Sequence, residues 1–174
     1  PDGRSIAYAM MVKDEGPKLG REMAGIVRPD KIWRNVGARA GDTLVLTKPL
    51  GSGVLFNANL KRKVSTEALQ ACLDALTTLN GKAADVLRDF EVHAVTDVTG
   101  FGLGGHTLEM AEGSDVTCVL DLEALPIFDE ALDCYKRGVT TGANAANREL
   151  AAPHARFARK LPAWPEEIVF DPQT

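Results

Sequence analysis

HAVTDVTGFGLGGHTLEM, His93 to Met110, is the stretch on which the reading of this chain turns. A short apolar run ends in Thr96, one acid (Asp97) closes it, and Thr99-Gly100-Phe101-Gly102 leads into a helix-like continuation. The pattern predicts strand, glycine-rich turn, helix. Such a turn gathers backbone N–H groups and a helix N-terminus, which suits phosphate, and an acid beside it suits the accompanying Mg²⁺. A tight structural turn produces the same pattern, and Asp97 serves equally well to cap the turn through its own backbone.

Outward from the turn, Thr99 can bind phosphate or cap the helix that begins near Phe101. His106, inside that helix, reads as a packed or hydrogen-bonded residue. Gly104-Gly105 is unfavourable in a helix interior by roughly 1 kcal/mol each relative to Ala, so a strand or ligand is expected to approach closely there.

Upstream, Thr43 to Thr47 (TLVLT) reads as a buried strand running into a second glycine loop, Lys48 to Gly53. That loop has neither the P-loop spacing nor the dinucleotide fingerprint. Lys48 is a candidate cation for phosphate, or a solvated strand-end lysine. A helix over Val54–Val64 ends in Lys61-Arg62-Lys63, which suits the helix dipole. Ser65 or Thr66 caps the next helix, with Leu69, Cys72, Leu73, Leu76 and Leu79 as its core stripe and Asn80-Gly81 as its left-handed stop. A short helix over Lys82–Phe90 then leads into the central stretch.

The flanks are expected to hold strands at Met23–Val27, Val116–Leu120 and Glu167–Phe170, an amphipathic stretch at 31–42, and a helix over Ile127–Tyr135. Residues 138–153 read as a long surface loop with at most one helical turn, and Ala155–Lys160 stays ambiguous. Strands interleaved with helices predict an α+β domain with a mixed sheet. A linker is expected around Gly16-Pro17 and Gly20.

The 174 residues are 45% hydrophobic and 25% charged, enough for one good core. A net charge of −4 argues against nucleic acid or an anionic membrane as partner, and no apolar run approaches the roughly 20 residues that span a bilayer. Cys72, Cys118 and Cys134 are widely spaced among three histidines with no transition-metal pairing. They read as reduced core thiols of a cytoplasmic protein. PDGRSIAYAM lacks an initiator Met and a signal pattern, and EEIVFDPQT stops just after an expected strand, so the chain is expected to be part of something longer.

GDTLVLTKPLGSGV (Gly41–Val54), TDVTGFGLGGHTLEM (Thr96–Met110) and FDPQT (Phe170–Thr174), in this order, resemble the C-terminal half of the selenophosphate synthetase (selenide, water dikinase) family, as does GIVRPDKIWRNVGARAGD (Gly25–Asp42). The resemblance covers roughly Lys13 to Thr174. At the junction, Asp2-Gly3-Arg4-Ser5-Ile6 stands where the family carries Gly-Gly-His-Ser/Thr-Ile. It implies a three-layer α+β sandwich of the aminoimidazole ribonucleotide synthetase C-terminal type, with residues 1–20 as remnant and linker and 21–174 as the domain. It further implies ATP-dependent conversion of selenide and water to selenophosphate, AMP and phosphate, in the cytoplasm and with Mg²⁺. The family's N-terminal domain supplies the catalytic Cys or selenocysteine, the Lys, most metal-binding aspartates and the homodimer interface. Asp97 matches the one metal-binding aspartate of the C-terminal domain, and Thr99, Gly100 and Gly102 fall in the adjoining motif. The implied fragment has no catalytic residue of its own and is inactive alone. Two other readings stay open: a sibling ATP-dependent small-molecule kinase of the superfamily, and a non-catalytic interaction module.

Overall fold

A computed structural model describes residues 6–10, 32–158 and 163–173. The strand expected at Met23–Val27 and the linker around Gly16 to Gly20 lie outside them. In chain order the elements are β1 (Ile6–Met10), β2 (Thr43–Leu46), α1 (Ser52–Leu60), α2 (Thr66–Thr77), α3 (Gly81–Leu87), β3 (Val92–Asp97), α4 (Gly102–Ser114), α5 (Ala131–Lys136), α6 (Asn144–Ala151), a 3₁₀ turn (Ala152–His154) and α7 (Ala163–Phe170). β1 is the middle strand of three, parallel to both neighbours, with Ile6 opposite Thr43 on one side and Met10 opposite Asp97 on the other. An antiparallel partner, which a mixed sheet requires, is not found among the described residues.

The parallel register carries β3 out of the sheet at Asp97, where the glycine turn begins. Helices α1, α4, α5 and α7 pack on one another around Leu50, Val54, Leu55, Val98, Ile168 and Phe170, all at most 1% exposed. Burying each such side chain contributes about 1.5–3 kcal/mol. A smaller cluster, Ala38, Ala94 and Met110, ties β3 to α4.

Several expectations fail for physical reasons. Glu167–Phe170 is the end of helix α7, because a run of three apolar residues, Ile168 to Phe170, fits a buried helix as well as a strand. The expected loop at 138–153 contains α6, begun by Thr141, whose Oγ1 accepts from the Ala143 and Asn144 N–H groups. Val116–Leu120 pairs with no strand among the described residues. Asn80 is right-handed and starts α3 instead of stopping α2. In α2 the buried positions are Ala68, Cys72 and Leu76, while Leu73 faces solvent at 37%, and Leu79, beyond the helix end, at 84%. Ser65 is the cap, accepting from the Ala68 N–H at 3.1 Å.

Candidate functional site

The turn after β3 is pinned from three directions. Val98 is fully buried, and the Thr99 carbonyl accepts from the N–H groups of Gly102 and Gln173, both at 2.9 Å. Asn147 of α6 donates from Nδ2 to the Gly100 carbonyl at 2.8 Å and to the Phe170 carbonyl at 2.9 Å. Gly102 has φ +69°, and a Cβ there would lie 2.8–3.0 Å from backbone atoms of residues 169–171. Gly104 likewise sits under Val169 and the Phe170 ring. The close approach expected from Gly104-Gly105 is therefore made by helix α7 at Gly104 and by the Phe101 side chain at Gly105, and Gly102 is packed on protein. Gly100 has open space around its Cα, and among the described residues neither its N–H nor that of Thr99 has an acceptor.

Beside the turn lies an open cleft of about 470 Å³, lined by Trp33, Asn35, Thr96, Asp97, His106 and Glu109 among others. The Asp97 carboxylate is half-buried there, with no partner among the described residues. His106 is 7% exposed and hydrogen-bonded, as expected, with Nε2 3.2 Å from Thr99 Oγ1 and Nδ1 3.1 Å from Glu109 Oε2. A hard, unpartnered carboxylate oxygen suits Mg²⁺. Among the described residues no three His, Cys, Asp or Glu side chains converge on one point, so Asp97 supplies one ligand and not a cage.

The second glycine loop does something else. Gly51 (φ +108°) opens α1, and the N–H groups that an anion would use are already filled. Asp171 accepts from the Gly53 and Val54 N–H groups at 3.1 and 2.9 Å, from Gln173 Nε2 at 3.0 Å and from the Tyr135 hydroxyl. Gln173 Oε1 accepts from the Gly51 N–H at 3.1 Å and Ser52 Oγ at 3.2 Å. Burial pushes the Asp171 carboxyl up to about 7, against the pull of these donors, and pushes the Tyr135 hydroxyl up as well. Lys48 Nζ donates to the Thr78 carbonyl at the end of α2, at 2.6 Å. The structure thus groups Asp97, Thr99 and Gly100, packs Gly102 beneath them, and engages Lys48 elsewhere.

Sequence reasoning did not single out Asn147, Asp171 or Gln173 as individual residues. Asn147 lay in the stretch read as a loop. A third cluster also escaped notice: His93 Nδ1 bonds Asp42 at 2.9 Å and its Nε2 bonds Glu91 at 3.0 Å, which raises its pKa through Glu91 first and Asp42 second. All three cysteines are free, Cys72 and Cys134 buried, and burial pushes the Cys72 thiol up to about 12.

Residues 39–145 match the sequence profile of the family described as AIR synthase related protein, C-terminal domain. The chain belongs to this family. Within it, the chain is 40% identical over 175 residues to the selenide, water dikinase of Myxococcus xanthus (strain DK1622), covering 99% of this chain and 49% of that protein. The selenide, water dikinases of Paraburkholderia xenovorans (strain LB400) and Treponema denticola are 39% and 34% identical over 172 residues, covering 99% of this chain and 49% and 48% of those proteins. The chain spans about half the length of these curated relatives. The resemblance read from the motifs is thus matched along the whole chain. Among the described residues no helix is long and apolar enough to cross a membrane.

Proposed function

We propose that this chain is the C-terminal part of a selenide, water dikinase that makes selenophosphate, AMP and phosphate from selenide, ATP and water. The observation that carries the reading is the 34–40% identity to enzymes of that name over 99% of the chain, joined to an Asp97 carboxylate with no partner among the described residues at the mouth of the glycine turn. In this reading Asp97 holds Mg²⁺ together with nucleotide phosphates and aspartates from a preceding domain. The metal, when bound, neutralises charge on the phosphates. The N–H groups of Thr99 and Gly100, which have no acceptor among the described residues, would bind phosphate oxygens, Gly102 lets the turn close on α7, and Lys48 is the outlying candidate cation.

The finer points belong to the same proposal: a three-layer sandwich completed by strands beyond the described ones, a boundary near residue 20, a homodimer formed through the preceding domain, and action in the cytoplasm, in keeping with three free thiols. The chain alone is expected to be inactive. The test is selenide-dependent cleavage of ATP to AMP by the full-length protein. Asp97→Asn should lower turnover on the order of 100-fold and shift its Mg²⁺ dependence. Undiminished activity in that variant, or activity of the isolated chain, would refute the reading.

A further inference from the structure

One wall of the cleft carries a hydrogen-bonded series that the function above leaves without a task. Glu109 Oε2 lies 3.1 Å from His106 Nδ1, and His106 Nε2 lies 3.2 Å from Thr99 Oγ1. The imidazole side chain is 9% exposed, and the Phe101 ring lies against it with centroids 5.6 Å apart. His106 sits on α4, so the ring is placed by a helix seated on α6 and α7.

The polarity of this series follows from its outer end. A carboxylate oxygen accepts, so the tautomer that satisfies the Glu109 contact carries its proton on Nδ1 of His106. In that tautomer Nε2 is an acceptor, and the partner placed to donate to it is the Thr99 hydroxyl. Thr99 therefore spends its one hydroxyl proton inward, and its oxygen meets anything docked at the turn with lone pairs only. That is the wrong polarity for a phosphate oxygen. It is the right one for a water held by a divalent cation.

We propose that Glu109 and His106 are positioning residues that fix the Thr99 hydroxyl as an acceptor for metal-bound water at the Asp97 end of the cleft. Phosphate contacts then fall to the backbone N–H groups of Thr99 and Gly100. The inference rests on the Mg²⁺ reading of Asp97.

Two measurements on the full-length protein test it. With ¹⁵N-labelled histidine, and His106 assigned by the signal lost in His106→Gln, NMR should find the Nδ1–H tautomer. Glu109→Gln, whose amide can donate, should populate the Nε2–H form. An Nε2–H tautomer in the unmodified protein overturns the proposal. Second, Mn²⁺ serves as an EPR-visible probe, titrated in the presence of a non-hydrolysable ATP analogue. Thr99→Val and Glu109→Gln should each weaken its binding on the order of tenfold, Thr99→Ser should restore it, and the double variant should bind no more weakly than Thr99→Val alone. Losses that add in the double variant, or Thr99→Val binding like the parent, overturn the proposal while leaving the Asp97 reading intact. Failure of that underlying reading shows differently: Asp97→Asn then binds Mn²⁺ as tightly as the unmodified protein, which overturns both.

Discussion

Replacing Gly102 by Ala asks whether this glycine serves α7 or a ligand. Its backbone is left-handed at φ +69°, and the new Cβ would meet the Asp171 carbonyl oxygen at 2.8 Å, the Val169 carbonyl oxygen at 2.9 Å and the Phe170 carbonyl carbon at 3.0 Å. All three are backbone atoms of one buried segment, so none can swing aside as a side-chain tip would. Gly138 is the internal control. It follows α5 at φ +76° with nothing within 4 Å of its Cβ position, so an alanine there meets the left-handed cost alone. That cost is about 1–2 kcal/mol. Overpacking adds about 1–3 kcal/mol, so Gly102→Ala should cost about 2–5 kcal/mol and exceed Gly138→Ala by the packing share. Equilibrium urea unfolding followed by circular dichroism resolves this: with a slope of about 2 kcal/mol per molar, an excess of 2 kcal/mol moves the midpoint about 1 M. Equal costs in the two variants, within about 0.5 kcal/mol, would mean that α7 does not bear on this position. So would a Gly102→Ala protein of unchanged stability that has lost nucleotide binding.

Two further outcomes follow from the titrating groups. Asp171 has a folded-state pKa raised from the ordinary 3.8 to about 7, chiefly by burial, so its contribution to stability is full below about pH 4 and is lost as pH rises through about 7. The stability difference between parent and Asp171→Asn should therefore shift against the parent by on the order of 4 kcal/mol between pH 4 and pH 8, and a difference that does not vary with pH would refute the burial argument. For His93, whose pKa is raised above the usual 6.5 by Glu91 and Asp42, the advantage of the parent over His93→Gln should be full below pH 6.5 and shrink as pH rises through the higher folded value. Urea unfolding at pH 6 and pH 9 checks it, and equal differences at the two values would show that the two carboxylates do not hold the charged ring.

What the sequence made legible is what depends on neighbours along the chain. TLVLT and the run ending at Asp97 alternate and branch as strands do, Ser65 precedes a periodic apolar stripe, and Thr99 to Gly102 has the composition of a turn into a helix. Each is decided within one or two turns of backbone, so each was readable. Glu167–Phe170 was not, because the apolar run is too short to show a period, and the deciding fact is its seat against α4 and α5. The 138–153 segment failed for a related reason. Its helix is poor in apolar residues and is held by polar side chains: Asn144 to Glu167, Arg148 to Glu166 and Glu167, and Asn147 to two carbonyls.

The two glycine loops show the same limit acting on function. Read locally, both follow a strand and both offer N–H donors. Which of them is open to a ligand is settled by residues more than a hundred positions away. Asp171 and Gln173 reach back over 117–122 residues to fill the donors at the start of α1, so that loop binds a carboxylate and an amide of its own chain. Gln173 also donates its backbone N–H to the Thr99 carbonyl, which ties the first loop to the second, while the donors of Thr99 and Gly100 have no acceptor among the described residues. A buried carboxylate at a helix N-terminus makes the same contacts that a phosphate would, and four donors aimed at Asp171 offset part of the desolvation that raises its pKa. The short segment from Asp171 to Gln173 therefore acts as a permanent occupant of one anion-like site. By closing that site it assigns the task of meeting an external ligand to the turn beside Asp97.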